Sequence, residues 1–228
     1  MEKNNLHLIS YWPSGRLLFG SKEPLEQVED LDGLQGRANG PVLQYTLQNA
    51  GYAMNAITAS ETYEAVERGV IKSVAGAIDF PVNMSLMELL PYWSDAGIGQ
   101  YAVFGMWFSK DVYDSLPTDL QAVIDEVAVE LNNGAGVEAF NQGAQSQCQQ
   151  MLDAPTVEDL TAWDDSAVQA WVDDIGGASE EKWLEVATEF GIADPESYLA
   201  DYKALYAQSA DADYSDATIA SIDQFASR

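Results

Sequence analysis

The side chains able to do chemistry here are abundant in one kind and scarce in the others: 37 Asp and Glu stand against 10 Lys and Arg, with one His and one Cys. Two carboxylates can divide acid and base roles when their environments differ. With so many acids, doublets such as Asp164-Asp165 and Asp173-Asp174 arise from composition alone, and no pair stands out. His7 sits by itself in the alternating run Leu6-His-Leu-Ile-Ser10, whereas a metal site wants several such ligands. Cys148, between Gln147 and Gln149, reads as a packed thiol; being alone, it excludes an internal disulfide and a multi-cysteine cluster. No calcium loop, phosphate loop, nucleophile elbow, zinc helix or dinucleotide fingerprint occurs. The sequence therefore assigns no catalytic residue, no metal ligand and no cofactor.

The formal net charge of -27 narrows the partners. Nucleic-acid binding needs a basic stripe that displaces counterions, and there is none. Anionic lipid is disfavoured for the same reason. An acidic coat suits salty surroundings, where screening weakens self-repulsion. Against this background the arginines are the groups equipped to grip a carboxylate, through a planar fork that stays protonated.

These groups must be positioned by a folded chain. At 228 residues, 47% hydrophobic and 11% aromatic, the sequence can build one large domain or two small lobes. No run approaches the roughly 20 apolar residues that span a bilayer. The nearest candidate, Tyr101 to Phe108, reads as a short buried strand. Residues 6–11 and Leu34 to Ala38 also read as strands. Pro41 starts a helix that Gly51 stops. Ser60 is the N-cap candidate of a second helix ended by Gly69, with Val70-Ile71 as a short strand after it. A third helix is expected from Asn83 to about Tyr92. Leu120, Val123, Ile124, Val127 and Leu131 form an amphipathic stripe. Beyond Gly134 the pattern is helical over 137–152, 165–174, 180–190 and 196–207. Strands alternating with helices, then a helical tail, indicate an α/β architecture.

Four segments, in this order, resemble the solute-binding proteins of tripartite ATP-independent periplasmic (TRAP) transporters, the DctP or C4-dicarboxylate-binding family. They are Tyr11-Trp-Pro-Ser-Gly-Arg-Leu-Leu-Phe19-Gly-Ser-Lys22; Glu29-Asp-Leu-Asp-Gly-Leu-Gln-Gly-Arg37 with Gly40-Pro41; Ser60-Glu-Thr-Tyr-Glu-Ala-Val-Glu-Arg-Gly-Val-Ile71; and Lys110-Asp-Val-Tyr-Asp-Ser-Leu-Pro-Thr-Asp-Leu-Gln121. Together they cover residues 6–135. The resemblance implies a periplasmic-binding-protein-like two-lobe fold of type II, in which the N-terminal part of the first lobe would lie upstream of this chain. It further implies a hinge-crossing strand and turn over 1–28, the second α/β lobe over 29–108, and a helical return to the first lobe with a tail over 109–228. The implied function is periplasmic capture of a small organic acid for a TRAP membrane permease, without membrane insertion; no signal peptide is visible in the chain. An enzyme is the formal alternative. The other is a truncated relative acting as an interaction module.

Arg37 falls on the family's main carboxylate-clamping arginine, and Arg16 on its second cleft arginine. Backbone N–H groups around Asn39 would add anion donors where the helix begins. Departures from the family pattern are Ala59, the Lys72-Ser73 pair, and Gly76 in place of an Asn. They imply a roomier pocket, suited to an acid bulkier than a simple dicarboxylate. Trp12, Phe80, Tyr101 and Phe104 would wall it, and Asp79 would orient an arginine or accept from a ligand hydroxyl.

Overall fold

A computed structural model describes residues 4–99, 103–209 and 216–228. Its centre is a six-stranded sheet in the order β4-β3-β5-β2-β6-β8, formed by β2 (Leu18–Ser21), β3 (Gln35–Arg37), β4 (Ala53–Met54), β5 (Ser73–Gly76), β6 (Tyr92–Asp95) and β8 (Asp159–Ala162). The β3–β4, β3–β5 and β6–β8 pairs are parallel, while β2 runs antiparallel between β5 and β6. All four residues of β2 are buried, as expected of a strand covered on both faces. Alternation sends neighbours to opposite sides. Leu18 and Val74 join one apolar cluster with Leu86, Trp93 and Met151, while Phe19 and Ala75 join another with Leu47, Trp163 and Trp171.

Helices supply both covers. On one face lie α1 (Pro41–Asn49), α7 (Asp165–Asp174) and α8 (Gly176–Glu189); on the other lie α2 (Thr62–Glu67), α3 (Asp79–Asn83), α6 (Gly136–Asp153) and α10 (Ala217–Ala226). Cys148, Met151 and Leu152 recur at i, i+3 and i+4, so α6 presents a single buried stripe. In α9 (Pro195–Gln208), Tyr198 stacks on Trp183 of α8.

A second, two-stranded sheet pairs β1 (Leu6–Pro13) antiparallel with β7 (Val103–Ser109). The following helices, α4 (Lys110–Ser115) and α5 (Thr118–Glu130), lean on this ribbon. Asn132, just past α5, accepts from Ser10 Oγ and donates to the Ile9 carbonyl, which ties the two together.

Several expectations are corrected. The strand after Gly69 is Ser73–Gly76: Ile71 is buried but Val70 is 52% exposed. The helix expected from Asn83 to Tyr92 breaks into α3 and a 3-10 turn over Leu86–Glu88, because Ser85 adopts φ 53; Tyr92 then opens β6. The N-cap ahead of α2 is Thr58, which shares a capping box with Glu61, rather than Ser60. β7 is not buried: Val103, Met106 and Trp107 are 70%, 48% and 47% exposed. A two-stranded ribbon has no second sheet stacked on it, so its apolar side chains stay open. The α5 stripe is exposed too, at Leu120, Val123 and Val127. The helical runs expected beyond Gly134 are found as α6, α7, α8 and α9, with β8 in the gap between the first two.

Candidate functional site

The carboxyl ends of β3, β5 and β6 converge on one edge of the six-stranded sheet, where α/β folds place their ligands. Arg37 ends β3 and is paired in register with Val74 of β5. Gly76 and Asp95 end β5 and β6, and both pair with Leu18 at the start of β2. Asp79 and Phe80 open α3 just beyond Gly76. Strand-end geometry thus brings together Arg16, Arg37, Gly76, Asp79 and Phe80.

Arg37 is only 7% exposed. Its Nε donates to the Ile57 carbonyl at 3.2 Å, and its Cζ lies 4.6 Å from the centroid of the Phe80 ring. Among the described residues no carboxylate comes within ion-pair distance of it. Burial lowers its pKa from the usual arginine value, although a guanidinium remains charged at neutral pH. Beneath it, Tyr52 Oη donates to Ser73 Oγ at 2.8 Å, and the phenol pKa is driven far above its ordinary value by burial. After the exposed Asn39, α1 begins at Pro41, and no side chain caps its N-terminus. A strand ending in an arginine and turning into an uncapped helix leaves donors and positive charge facing one space.

Arg16 differs. Its Nε donates to Asp95 Oδ2 at 2.5 Å, with Asp216 3.9 Å away. Asp95 is buried and also accepts from the Gly97 N–H. Beside this cluster lies a cavity of about 230 Å³, lined by Trp12, Arg16, Ile78, Phe140, Asn141 and Thr218 among others. Trp12 lines this cavity, and its indole N–H is buried without a hydrogen-bond partner among the described residues. Ile78 links this cavity to Asp79 and Phe80, which follow it in the chain.

Phe104 is 39% exposed and tilts against Trp12, with ring centroids 6.2 Å apart. Tyr101 lies outside the described residues. Asp79 is half-buried, and desolvation raises its pKa despite bonds from its own and the Phe80 backbone N–H. The expectation that Gly76 opens a roomier pocket is corrected: a Cβ there would come 2.9 Å from Phe80 Cδ1, because the Phe80 side chain packs against that spot. His7 stacks on Tyr113, with centroids 3.6 Å apart, and Cys148 is buried in α6. Sequence reasoning missed Asp95, Asp216 and Phe140. Asp95 ends a strand it did not anticipate, and in so acidic a chain nothing marks one Asp above another.

Residues 1–178 match the family model of bacterial extracellular solute-binding proteins, family 7 (DctP). The chain belongs to this family. It is 29% identical over 156 residues to a solute-binding protein of Sulfitobacter sp. (strain NAS-14.1), covering 68% of this chain and 46% of that protein. With the ectoine-binding periplasmic protein TeaA of Halomonas elongata it shares 22% identity over 208 residues, covering 91% of this chain and 60% of TeaA. The fold matches a TRAP periplasmic solute-binding protein from Desulfovibrio salexigens with bound orotic acid at a TM-score of 0.76 and 22% identity, covering 91% of this chain and 64% of that one. The chain thus spans about half to three-fifths of the length of these curated relatives. The DctP model describes solute binding, not catalysis, and among the described residues no helix is long and apolar enough to cross a membrane.

Proposed function

We propose that this DctP-family chain is the solute-capturing part of a periplasmic binding protein, and that Arg37 holds the carboxylate of a small organic acid for delivery to a TRAP-type permease. The observation that carries this reading is a buried guanidinium with no carboxylate partner among the described residues, in a chain with 37 acidic side chains. Leaving such a charge unpaired costs several kcal/mol, which an incoming carboxylate offsets. One charge-assisted hydrogen bond contributes about 1.5–3 kcal/mol, so a bidentate contact with apolar burial reaches the roughly 8 kcal/mol of a micromolar complex. The solved neighbour with bound orotic acid and the ectoine-binding relative point to the same ligand chemistry. In this reading the six-stranded sheet and its helices form one wall of the cleft, and the β1–β7 ribbon with α4–α6 leads to the other. Trp12, Arg16, Asn39, Gly76, Asp79, Phe80, Tyr101 and Phe104 remain the residues expected around the ligand. Calorimetry with a panel of C4 to aromatic acids tests the reading: Arg37→Gln is expected to weaken the best ligand about 100-fold, and an unchanged affinity would refute it.

A second reading, an interaction module without transport duty, is favoured by the open apolar faces of β7 and α5. Mass measurement separates the two. A monomer that binds acids supports capture; an oligomer that binds none supports the module.

A further inference from the structure

The joint between β3 and α1 carries a dipeptide that can change its own covalent structure. We infer that Asn39-Gly40 is a spontaneous modification site, at which the Asn39 amide is converted to a mixture of aspartyl and isoaspartyl products.

The step needs only water. The Gly40 backbone nitrogen attacks the side-chain carbonyl carbon of Asn39. An N–C bond forms there, the bond to the side-chain nitrogen breaks, and ammonia leaves carrying the proton that Gly40 gave up. Water then opens the five-membered imide at either carbonyl. One opening restores the ordinary backbone with an Asp side chain; the other routes the backbone through the side chain as isoaspartate. Nothing is oxidised or reduced.

Three dipeptides in the sequence have the composition for this reaction: Asn39-Gly40, Asn133-Gly134 and Asp32-Gly33. Asn is a thermolabile residue, and a following glycine puts no side chain in the way of ring closure. The fold separates the three. The Gly33 N–H donates to the Gly51 carbonyl at 2.9 Å, which keeps that nitrogen protonated and in place. Asn133 lies in the π-helical turn Leu131–Ala135 with helical backbone angles, which turn the next nitrogen away from its side-chain carbonyl.

Asn39 meets neither obstacle. It is exposed and lies outside both β3 and α1. Among the described residues, neither its side-chain amide nor the Gly40 N–H has a hydrogen-bond partner. Gly40 adopts φ 76, and a Cβ there would meet nothing within 4 Å, so water and base reach the nitrogen from open space.

The two products act differently on this joint. Asp at position 39 adds a negative charge just ahead of α1, whose N-terminus has no side-chain cap and no acid in its first turn. That end of a helix favours negative charge. Isoaspartate instead adds a carbon to the main chain between Ala38 and Gly40. Ala38 is buried, and its carbonyl accepts from Gln44 Nε2 of α1 at 3.0 Å. The lengthened joint works against that contact, which the ordinary aspartyl product keeps.

The test is incubation of the folded chain in mildly alkaline buffer, followed by peptide mass mapping. The peptide carrying Asn39 is expected to gain the mass of the amide-to-acid change at least tenfold faster than the peptide carrying Asn133. In ¹⁸O-labelled water each product should take up one heavy oxygen, and isoaspartyl methyltransferase should label part of it. In denaturant the fold no longer selects, so the two asparagines should convert at similar rates. Equal rates in the folded chain, or faster conversion at Asn133, would overturn the inference. Freshly prepared Asn39→Asp is expected to melt at or above the parent, and the separated isoaspartyl fraction a few degrees below it. An isoaspartyl fraction that melts with the parent would overturn the effect assigned to the joint.

Discussion

The Phe80 side chain packs against Gly76 on one side and against the guanidinium of Arg37 on the other. One glycine thereby sets the height of the charged group: a Cβ at position 76 would approach Phe80 Cδ1 to 2.9 Å and its Cβ to 3.0 Å. A Gly76→Ala substitution is expected to push the ring away and remove a cation–π contact of about 0.5–2 kcal/mol. Acid affinity should fall roughly tenfold, with a small loss in Tm. Phe80→Leu removes the aromatic face by another route, so the double variant should bind no worse than Phe80→Leu alone. Additive losses in calorimetry would show that Gly76 acts elsewhere.

Gly36 has a related role one residue before Arg37. A Cβ there would overlap the Tyr52 ring, which is 2% exposed and fixed to Ser73 by the 2.8 Å hydrogen bond. Overpacking of this kind costs about 1–3 kcal/mol, and Gly36→Ala is expected to lower the denaturant midpoint by that measure. Tyr52→Phe keeps the ring and removes only the hydroxyl, leaving a buried Ser73 without its partner, at a cost of about 1–3 kcal/mol. If Gly36→Ala proves harmless, the close approach of β3 to Tyr52 is wrong.

How much of this was legible beforehand follows from the range of the forces involved. α1 and α6 carry their own signals, namely Pro41 at the start of one and the i, i+3, i+4 apolar stripe of the other, and both lie within two residues of their expected bounds. β6 and β8 carry none: Tyr92–Asp95 and Asp159–Ala162 become strands only because β2 and then β6 offer backbone partners distant in sequence. The same gap hid half of the candidate site. Arg37 is singled out by its motif alone, but the ion pairing of Arg16 depends on Asp95, whose strand carries no local signal, and on Asp216, far along the chain. Exposure of the β7 and α5 apolar faces was also invisible, because a hydrophobic pattern specifies a face and says nothing about what covers it.

Asp79 gives the unliganded chain a pH signature. Desolvation raises its folded-state pKa above the unfolded value, so the proton is held more tightly in the folded chain. Its contribution therefore favours folding below the ordinary Asp pKa and is lost as pH rises through the folded value. Asp79→Asn removes the penalty of the buried charge. The variant is expected to melt higher than the parent at pH 7, with the difference closing towards pH 3, as followed by thermal melts across a buffer series. An equal difference at both ends would assign the effect to the helix-start hydrogen bonds instead.

The acidic coat predicts a second dependence. With a formal net charge of -27, like charges on the surface repel across the folded chain. Pairs such as Lys182–Glu185 and Arg68–Glu64 join neighbours close together in sequence and leave most of the acidic surface unpaired. Raising salt from 0.01 M to 1 M shortens the screening length from about 30 Å to about 3 Å. Tm is expected to rise by on the order of 5 °C over that range, at about 2–4 °C per kcal/mol for a chain of this size. Screening depends on ionic strength, so most of the rise should come at low salt, and sodium chloride and choline chloride should act alike. A gain that appears only with sulfate, or only above molar salt, would instead signal strengthened apolar burial. It would remove surface repulsion as the force that limits the stability of this fold.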